Sequence, residues 1–258
     1  MIDIIIPTFN QEMYTVQCLK SLRRFTKQPY RIVWVDNGSS YESRKRVLIE
    51  LKDHKYLTIW LSERIGFIKA VNIALKHCHH DYVVILNNDT EVTENWLDLL
   101  MFPLVHSDRI IASGPLTTRN TSHQDLEQMK TILPELLTIS NEHLINIHYL
   151  QKKLSELFVD TRYVTVEKLA FFCTVFKRAI FDEIGLLDER FKEGYSDDMD
   201  FSMRMRQKGY DLVLVPAAYV EHYHQKTFLN IYSKKEASAM LHQNRKVLHE
   251  KWQSTESS

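Results

Sequence analysis

Apolar and polar positions alternate along residues 1–115 in a way that predicts strands separated by helices. Four short, almost uniformly apolar runs read, in chain order, DIIIP, RIVWV, LTIWL and YVVIL. Between them, apolar residues recur every three or four positions, as at Ile68, Val71 and Leu75, which predicts helices. Strands that are apolar on both faces are typical of a parallel sheet covered by helices on either side. We therefore predict an α/β fold with a mostly parallel, Rossmann-like sheet.

The pattern changes in the second half of the chain. Residues 117–165 predict a polar loop and helices broken near Pro134 and Asn141, which we interpret as a helical insertion. Residues 166–228 return to strand-like and helix-like runs, with DLVLVP and AYVEHYH as separate strand-like segments. Residues 229–258 predict an amphipathic helical tail that packs on the body of the protein or on a partner.

Composition narrows the class of protein. A hydrophobic share of 44% indicates a sizeable core, and 33 basic against 33 acidic residues give no electrostatic argument for binding nucleic acid. The three cysteines lack metal or redox spacing, which favours a reducing compartment. No signal peptide and no apolar run near ~20 residues is apparent. We expect a cytoplasmic protein, and association with the inner face of a membrane stays open.

Candidate chemistry lies just after the predicted strands, where open parallel sheets bind their ligands. Four such segments are polar or turn-forming: residues 7–10, 36–40, 62–66 and 87–89. Each one alone also fits a simple turn or helix cap, because Asn, Asp, Gly and Ser are favoured there. The agreement of all four favours a ligand site.

Two of these segments predict a particular ligand. Asp89, after the strand YVVIL, offers the oxygen that Mg²⁺ or Mn²⁺ prefers. The plain alternative is a cap for a helix that we expect near Thr93 or Glu94. Gly66 begins a predicted helix between Arg64 and Lys69, where backbone N–H groups and cations can hold a phosphate.

Acidic residues and histidines mark the later part of the chain. Asp197, Asp198 and Asp200 open a predicted helix, and one or two acids there would serve the helix dipole. Three acids repel one another and raise a pKa, which favours a general base. His222 and His224 alternate along a predicted strand, where they are either half-buried structural residues or ligands.

Taken together, these motifs resemble family 2 glycosyltransferases of the GT-A fold. The matching runs, in the family's order, are IIIPTFNQ, VDNGSS, ERIGFIKAVNIAL, VVILNNDTEV, RAIFDEIGLLDERF, GYSDDMDFSMRMRQKGY and VEHYHQKTF. The resemblance implies a nucleotide-sugar donor, Mn²⁺ or Mg²⁺ as cofactor, and inversion at the anomeric carbon. It also implies a nucleotide-sugar half at 1–115 and an acceptor and catalytic half at 166–228. From its location in the chain, we expect the insertion to shape the acceptor side.

The resemblance assigns roles residue by residue. It places nucleoside contacts at Pro7, Thr8, Asn10 and Asp36, and donor phosphates near Arg64, Gly66 and Lys69. The family's acidic metal motif falls on Asn87, Asn88 and Asp89, so Asp89 is the expected metal ligand and Asn88 a donor contact. Asp198 is the expected base, with Asp197 as the fallback. His222 matches the family histidine better than His224 and is the second expected metal ligand.

The hypothesis is therefore a metal-dependent, inverting glycosyltransferase that builds a polysaccharide or cell-surface glycan. Its acceptor would be a glycan, a lipid-linked molecule or a protein. A nucleotidyltransferase that forms sugar nucleotides, or a non-catalytic protein that binds them, are the alternatives. The sugar, the nucleotide and the oligomeric state stay open.

Overall fold

The computed structural model describes residues 1–118, 124–159, 163–191, 193–223 and 232–253. The strands are β1 (Ile2–Thr8), β2 (Tyr30–Asn37), β3 (Tyr56–Leu61), β4 (Tyr82–Leu86), β5 (Thr90–Val92), β6 (Ile110–Leu116), β7 (Val164–Val166), β8 (Cys173–Lys177) and β9 (Asp211–His222). The α-helices are α1 (Glu12–Phe25), α2 (Tyr41–Leu51), α3 (Phe67–Leu75), α4 (Trp96–His106), α5 (Leu126–Met129), α6 (Ile147–Leu157), α7 (Ala179–Ile184), α8 (Asp197–Gln207) and α9 (Lys234–Gln253). Short 3₁₀ turns occur at Pro134–Thr138, His143–Ile145 and Glu189–Phe191.

One twisted sheet runs through the molecule in the order β3-β2-β1-β4-β8-β6-β9-β5, with β7 paired to β9. Strands β1, β2, β3 and β4 are mutually parallel. Strand β8 is antiparallel to both β4 and β6, and β6 is parallel to β9. Strands β6 and β9 therefore point in the same direction as the first four. The predicted mostly parallel α/β architecture is confirmed.

Alternating strand residues build a separate core on each face of the sheet. Ile4, Ile6 and Trp34 face one side, where they pack with α1, α2 and α4. Ile5 and Val33 face the other side, where they pack with α3, α7 and α8. Helices α5 and α6 of the insertion cover a third cluster against β6 and β9. Because both faces are covered, the strands are apolar throughout, as expected for this architecture.

The structure corrects two details of the expected elements. The helix expected near Thr93 or Glu94 begins at Trp96, because Thr90–Val92 form β5 and pair antiparallel with β9. The two strand-like segments of residues 211–222 are one continuous strand, whose register against β6 shifts between Pro115 and Leu116. His224 lies outside the described residues.

No helix among the described residues combines the length and the apolar character needed to cross a bilayer.

Asn72 holds the segment that leads from α7 towards the acidic turn. It is a buried polar residue on the apolar side of α3. Its amide nitrogen donates to the Leu187 carbonyl at 2.9 Å and to Glu189 Oε1 at 3.1 Å, and its oxygen accepts from Leu187 N at 3.0 Å. The segment at Leu187 crosses α3 and is not part of a helix or strand there. The Asn72 amide therefore supplies the hydrogen bonds that its backbone needs.

We expect the substitution Asn72→Ala to destabilise the native state by about 1–3 kcal/mol, because it leaves buried backbone groups at Leu187 without partners. Urea denaturation followed by circular dichroism measures this change. Lys76→Ala, at an exposed position just beyond α3, is the matched control. A change no larger than that of the control would contradict the structural role of Asn72.

Candidate active site

The carboxyl ends of β1, β2 and β3 bring three side chains into one row. The strand register pairs Thr8 with Asp36, and Asp36 with Trp60. Asp36 is fully buried and forms an ion pair with Arg44. The Arg44 guanidinium also lies 5.4 Å from the ring centre of Trp60, which is 48% exposed. An exposed aromatic ring beside a fixed carboxylate can stack on a nucleobase while the carboxylate accepts hydrogen bonds.

The sequence-predicted nucleoside residues lie together at this row. Pro7 and Thr8 end β1, but the Thr8 hydroxyl already accepts a hydrogen bond from Trp34 Nε1 at 2.8 Å. Asn10 follows and ties the two strand ends together. Its backbone N–H donates to Ser39 Oγ at 2.8 Å, and its side-chain oxygen accepts from Ser40 N at 2.9 Å. These two hydrogen bonds hold Asn10 at a positive φ of 52°, so the turn forms without a ligand.

Asn37, which the sequence interpretation did not select, fixes the predicted phosphate loop. Its side chain accepts from Ile65 N at 2.9 Å and donates to the Gly66 carbonyl at 3.2 Å. The loop passes so close to Gly38 that a Cβ there would lie 2.5 Å from the Glu63 carbonyl carbon. Only glycine fits this position, where φ is also +84°. The turn signal Asp-Asn-Gly was visible in the sequence, but the contact with residues 62–66 was not.

Arg64 and Lys69 occupy this loop and the helix after it. The Arg64 guanidinium forms a two-pronged ion pair with Glu193, with Nη1 2.9 Å from Oε1, and also donates to the Tyr232 hydroxyl at 2.8 Å. Lys69 is exposed on α3 and forms no ion pair within the described part of the chain. Gly66 precedes the first turn of α3 with a φ of 94°. The charge of Arg64 is thus matched by Glu193, and this end of α3 presents Lys69 and a helix N-terminus, which favour an anion.

Asp89 and His222 meet where β4 ends beside the end of β9. Asp89 Oδ1 lies 3.2 Å from His222 Nε2, and the two residues are 5% and 7% exposed. The β5–β9 ladder places His222 opposite Thr90, and Tyr223 N donates to the Asp89 carbonyl at 2.9 Å. The imidazole also stacks on Phe172, with ring centres 5.0 Å apart. Both expected metal ligands are thus held in one buried place.

The two asparagines before Asp89 have different surroundings. The Asn87 amide nitrogen lies 3.4 Å from His222 Nε2, so Asn87 belongs to the same cluster. The Asn88 amide instead donates to Thr15 Oγ1 of α1 at 3.0 Å. Asn88, expected as a donor contact, thus uses its amide group to tie the end of β4 to α1.

These residues fit a hard divalent cation. A carboxylate oxygen and an imidazole nitrogen 3.2 Å apart are close enough to bind the same ion. Carboxylate oxygens are ligands of Mn²⁺ and Mg²⁺, and imidazole nitrogens are ligands of transition-metal ions. Among the described residues, no group of three or more His, Cys, Asp and Glu side chains could hold a metal. A cation at Asp89 and His222 would take its remaining ligands from a substrate or from water.

The acidic turn divides its three carboxylates between two roles. Asp200 is fully buried and forms ion pairs with Arg204 at 3.0 Å and with Lys251 at 2.7 Å. Asp197, only 5% exposed, forms no ion pair with any described residue. Burial and, secondarily, the charge of Asp198 raise the pKa of Asp197 to about 8. Burial also raises the pKa of the half-buried Asp198, while the positive charge of Lys168 opposes that rise. Asp200 is structural, whereas Asp197 and Asp198 form a proton-binding pair.

Comparison with known proteins identifies the family to which the chain belongs. The profile described as Glycosyl transferase family 2 matches residues 3–185. The chain belongs to glycosyl transferase family 2. This is the family that the order of the sequence motifs predicted.

Relatives and solved structures agree with this family. The chain is 25% identical over 238 residues to chondroitin synthase of Pasteurella multocida, covering 81% of this chain and 23% of that protein. It is 27% identical over 132 residues to the teichoic acid poly(glycerol phosphate) polymerase of Staphylococcus epidermidis, covering 50% of this chain and 18% of that protein. The chain therefore spans less than a quarter of either relative.

Two solved structures share the fold. GalNAc-T7 with UDP, GalNAc and Mn²⁺ superposes with a TM-score of 0.65 and 21% identity, covering 86% of this chain and 43% of that chain. The mannosyltransferase PcManGT from Pyrobaculum calidifontis, in complex with GDP-Man and Mn²⁺, gives a TM-score of 0.65 with 16% identity, covering 88% and 58%. The GT-A fold expected from the sequence is thereby confirmed.

The raised pKa of Asp197 predicts a particular pH dependence of stability. The native state keeps a proton on Asp197 up to a pH of about 8, whereas the unfolded chain loses it near the ordinary value of 3.8. Between these values the unfolded state binds fewer protons, so stability falls as the pH rises. Asp197→Asn has no such proton to lose. We expect its melting temperature relative to wild type to increase progressively from about pH 5 to about pH 8.

Thermal unfolding of both proteins across this pH range tests the expectation. Asp182→Asn, at an exposed carboxylate on α7, is the matched control and leaves the pH dependence as in wild type. Parallel curves for Asp197→Asn and wild type would contradict the assignment of a high pKa to Asp197.

Proposed function

We propose that the protein is an inverting, divalent-cation-dependent transferase that moves a sugar from a nucleoside diphosphate to an acceptor hydroxyl. The observation that carries the proposal is the buried contact of 3.2 Å between Asp89 and His222. It lies at the same edge of the sheet as Asp36 and the loop of residues 62–66. The solved relatives that contain UDP or GDP-Man together with Mn²⁺ support this proposal.

The donor would lie across the carboxyl ends of β1, β2, β3 and β4. Asp36, Asn10 and the exposed ring of Trp60 offer a place for the nucleoside. The N-terminus of α3, with Arg64 and Lys69 beside it, would attract the diphosphate. Asp89 and His222 would hold the cation, which when bound neutralises the diphosphate and makes it a better leaving group.

Asp198 is the base in this proposal, as expected from the sequence. Because the pKa of Asp197 is raised to about 8, this carboxyl is mainly protonated near neutral pH and donates rather than accepts a proton. Asp198 is the more accessible member of the pair, and its neighbour's proton leaves it as the ionised one. Asp197 thereby supports Asp198, and serves as the alternative base only above its own pKa.

The transfer is a single displacement. Asp198 takes the proton of the acceptor hydroxyl, and the hydroxyl oxygen forms a bond to the anomeric carbon from the face opposite the diphosphate. The bond between that carbon and the diphosphate oxygen breaks, and its electron pair leaves with the nucleoside diphosphate. One displacement inverts the configuration and requires no covalent enzyme intermediate.

A cavity of about 410 Å³ under the insertion is the candidate site for the acceptor. Its lining includes Thr118, Ile145, Ile147, Glu221 and Tyr223. The Glu221 carboxylate, held by the Tyr219 and Thr118 hydroxyls, is an acceptor for the hydroxyl groups of a sugar. The lining thus combines apolar side chains with polar ones that can form hydrogen bonds with a sugar.

Release of nucleoside diphosphate tests the proposed reaction. Incubation with UDP-, GDP-, dTDP- and CMP-sugars, Mn²⁺ and candidate glycan acceptors is expected to release nucleoside diphosphate from one UDP-, GDP- or dTDP-sugar. We expect Asp198→Asn to lower kcat at least about 100-fold, in the range of general-base contributions. Asp89→Asn is expected to raise the Mn²⁺ concentration needed for half-maximal rate. Asp182→Asn is the control for both.

Other outcomes favour the alternatives. Formation of pyrophosphate from a nucleoside triphosphate and a sugar phosphate would identify a nucleotidyltransferase instead. Saturable binding of a nucleotide sugar, seen as a rise in melting temperature, without turnover in any acceptor mixture would favour a non-catalytic binding protein. Full turnover by Asp198→Asn would overturn the assigned base.

A further inference from the structure

The turn that precedes the acidic pair has an unusual backbone. Gly194, Tyr195 and Ser196 have consecutive positive φ angles of 105°, 63° and 77°. Tyr195 and Ser196 carry side chains that disfavour this region, by of order 1–3 kcal/mol each. Such a backbone persists only where the surroundings hold it. Because Asp197 and Asp198 follow immediately, the directions of their carboxylates depend on whatever holds this turn.

Asn244 of α9 holds the turn directly. Its side-chain nitrogen lies 2.7 Å from the Phe191 carbonyl oxygen, 2.5 Å from that of Gly194 and 3.1 Å from that of Tyr195. Asn244 is only 1% exposed, and its neighbours Arg245 and Lys246 on α9 are exposed. The buried amide thus gathers three backbone carbonyls that point towards one centre.

The other end of α9 holds Asp200, two residues after the acidic pair. Lys251 Nζ lies 2.7 Å from Asp200 Oδ1, and Trp252 Nε1 donates to the same carboxylate at 3.1 Å. Helix α9 therefore contacts the chain on both sides of Asp197 and Asp198. The matched family profile ends at residue 185, so these contacts lie outside the part of the chain that it covers.

We propose that Asn244 of α9 is a positioning residue that fixes the turn 194–196 and so aims the Asp197–Asp198 pair. This inference rests on the proposed function, because it assumes that the pair acts on the acceptor. Asn244 touches neither the nucleoside row nor the Asp89–His222 contact. Glu193, the partner of Arg64, lies in the segment that Asn244 holds, so we expect the loss of Asn244 to lower kcat more strongly than it weakens donor binding.

A purely structural role for α9 makes a different prediction. Val247 and Leu248 pack against the core on the α3, α7 and α8 side of the sheet, and any substitution that loosens this packing lowers stability. If α9 were only a cover, loss of turnover would follow loss of stability, whichever residue is changed. If Asn244 aims the acidic pair, its loss lowers turnover beyond that of an equally destabilised control.

The test compares Asn244→Leu with Val247→Ala, the matched control on the same helix. Both are expected to lower the melting temperature, and rates are measured well below either transition. For Asn244→Leu we expect kcat to fall at least about tenfold, since small misplacements of catalytic groups cause losses of this size or larger. The KM for the nucleotide sugar, and the melting-temperature rise with nucleoside diphosphate and Mn²⁺, change less than kcat does. Val247→Ala keeps the wild-type kcat.

Asn244→Ser, with a smaller change in volume, gives the same comparison if Asn244→Leu does not fold. A wild-type kcat in the folded Asn244 variant, or an equal fall in Val247→Ala, would overturn the proposal. The proposed function fails separately: there, Asp198→Asn itself would keep full turnover. A large loss with Asp198→Asn but none with Asn244→Ser rejects only the role of α9.

Discussion

The removal of carboxylates from water is the constraint on which the arrangement of this molecule depends. A buried carboxylate is tolerated when a cation or several hydrogen bonds compensate for its lost hydration. Asp36 pairs with Arg44 and Asp200 pairs with Arg204, and each ion pair holds neighbouring elements together. Asp197 has no such partner among the described residues and keeps its proton instead. Within residues 197–200, Asp200 has a cation as partner and is structural, whereas Asp197 lacks one in the described part of the chain and is the reactive acid.

Asp89 represents an intermediate case, because its neighbour is an imidazole. An imidazole carries a charge only when protonated, and when neutral it offers a lone pair to a metal. The contact with His222 depends on the sheet itself, since the register of β5 on β9 places Thr90 opposite His222. The same short ladder explains why β4 is followed by β5 and not directly by the expected helix. Three residues of strand are needed to bring His222 to Asp89.

The sequence predicted the features that are encoded locally. An apolar run such as YVVIL predicts a strand in a sheet that is covered on both faces. The residues that follow such a strand lie at the edge of the sheet where ligands bind. Features that depend on distant partners were not predictable. The sequence marks Asn37 only as a turn residue, and its hydrogen bond with Ile65 of the loop is visible only in the structure. Likewise, Arg64 pairs with Glu193, which is 129 positions away. Asn88 was grouped with Asp89 by adjacency, but successive residues point in different directions, and its amide binds α1.

Strand β9 connects the two halves of the proposed site because successive residues face opposite sides of a sheet. Tyr219 and Glu221 share one face and lie towards the insertion, where Glu221 lines the cavity. His222 faces the other side and meets Asp89. The end of this strand lies between the cavity and the contact of Asp89 with His222. Tyr223 occupies that end: it lines the cavity, and its backbone N–H donates to the carbonyl of Asp89. The end of β9 thus links the lining of the cavity to the Asp89–His222 contact.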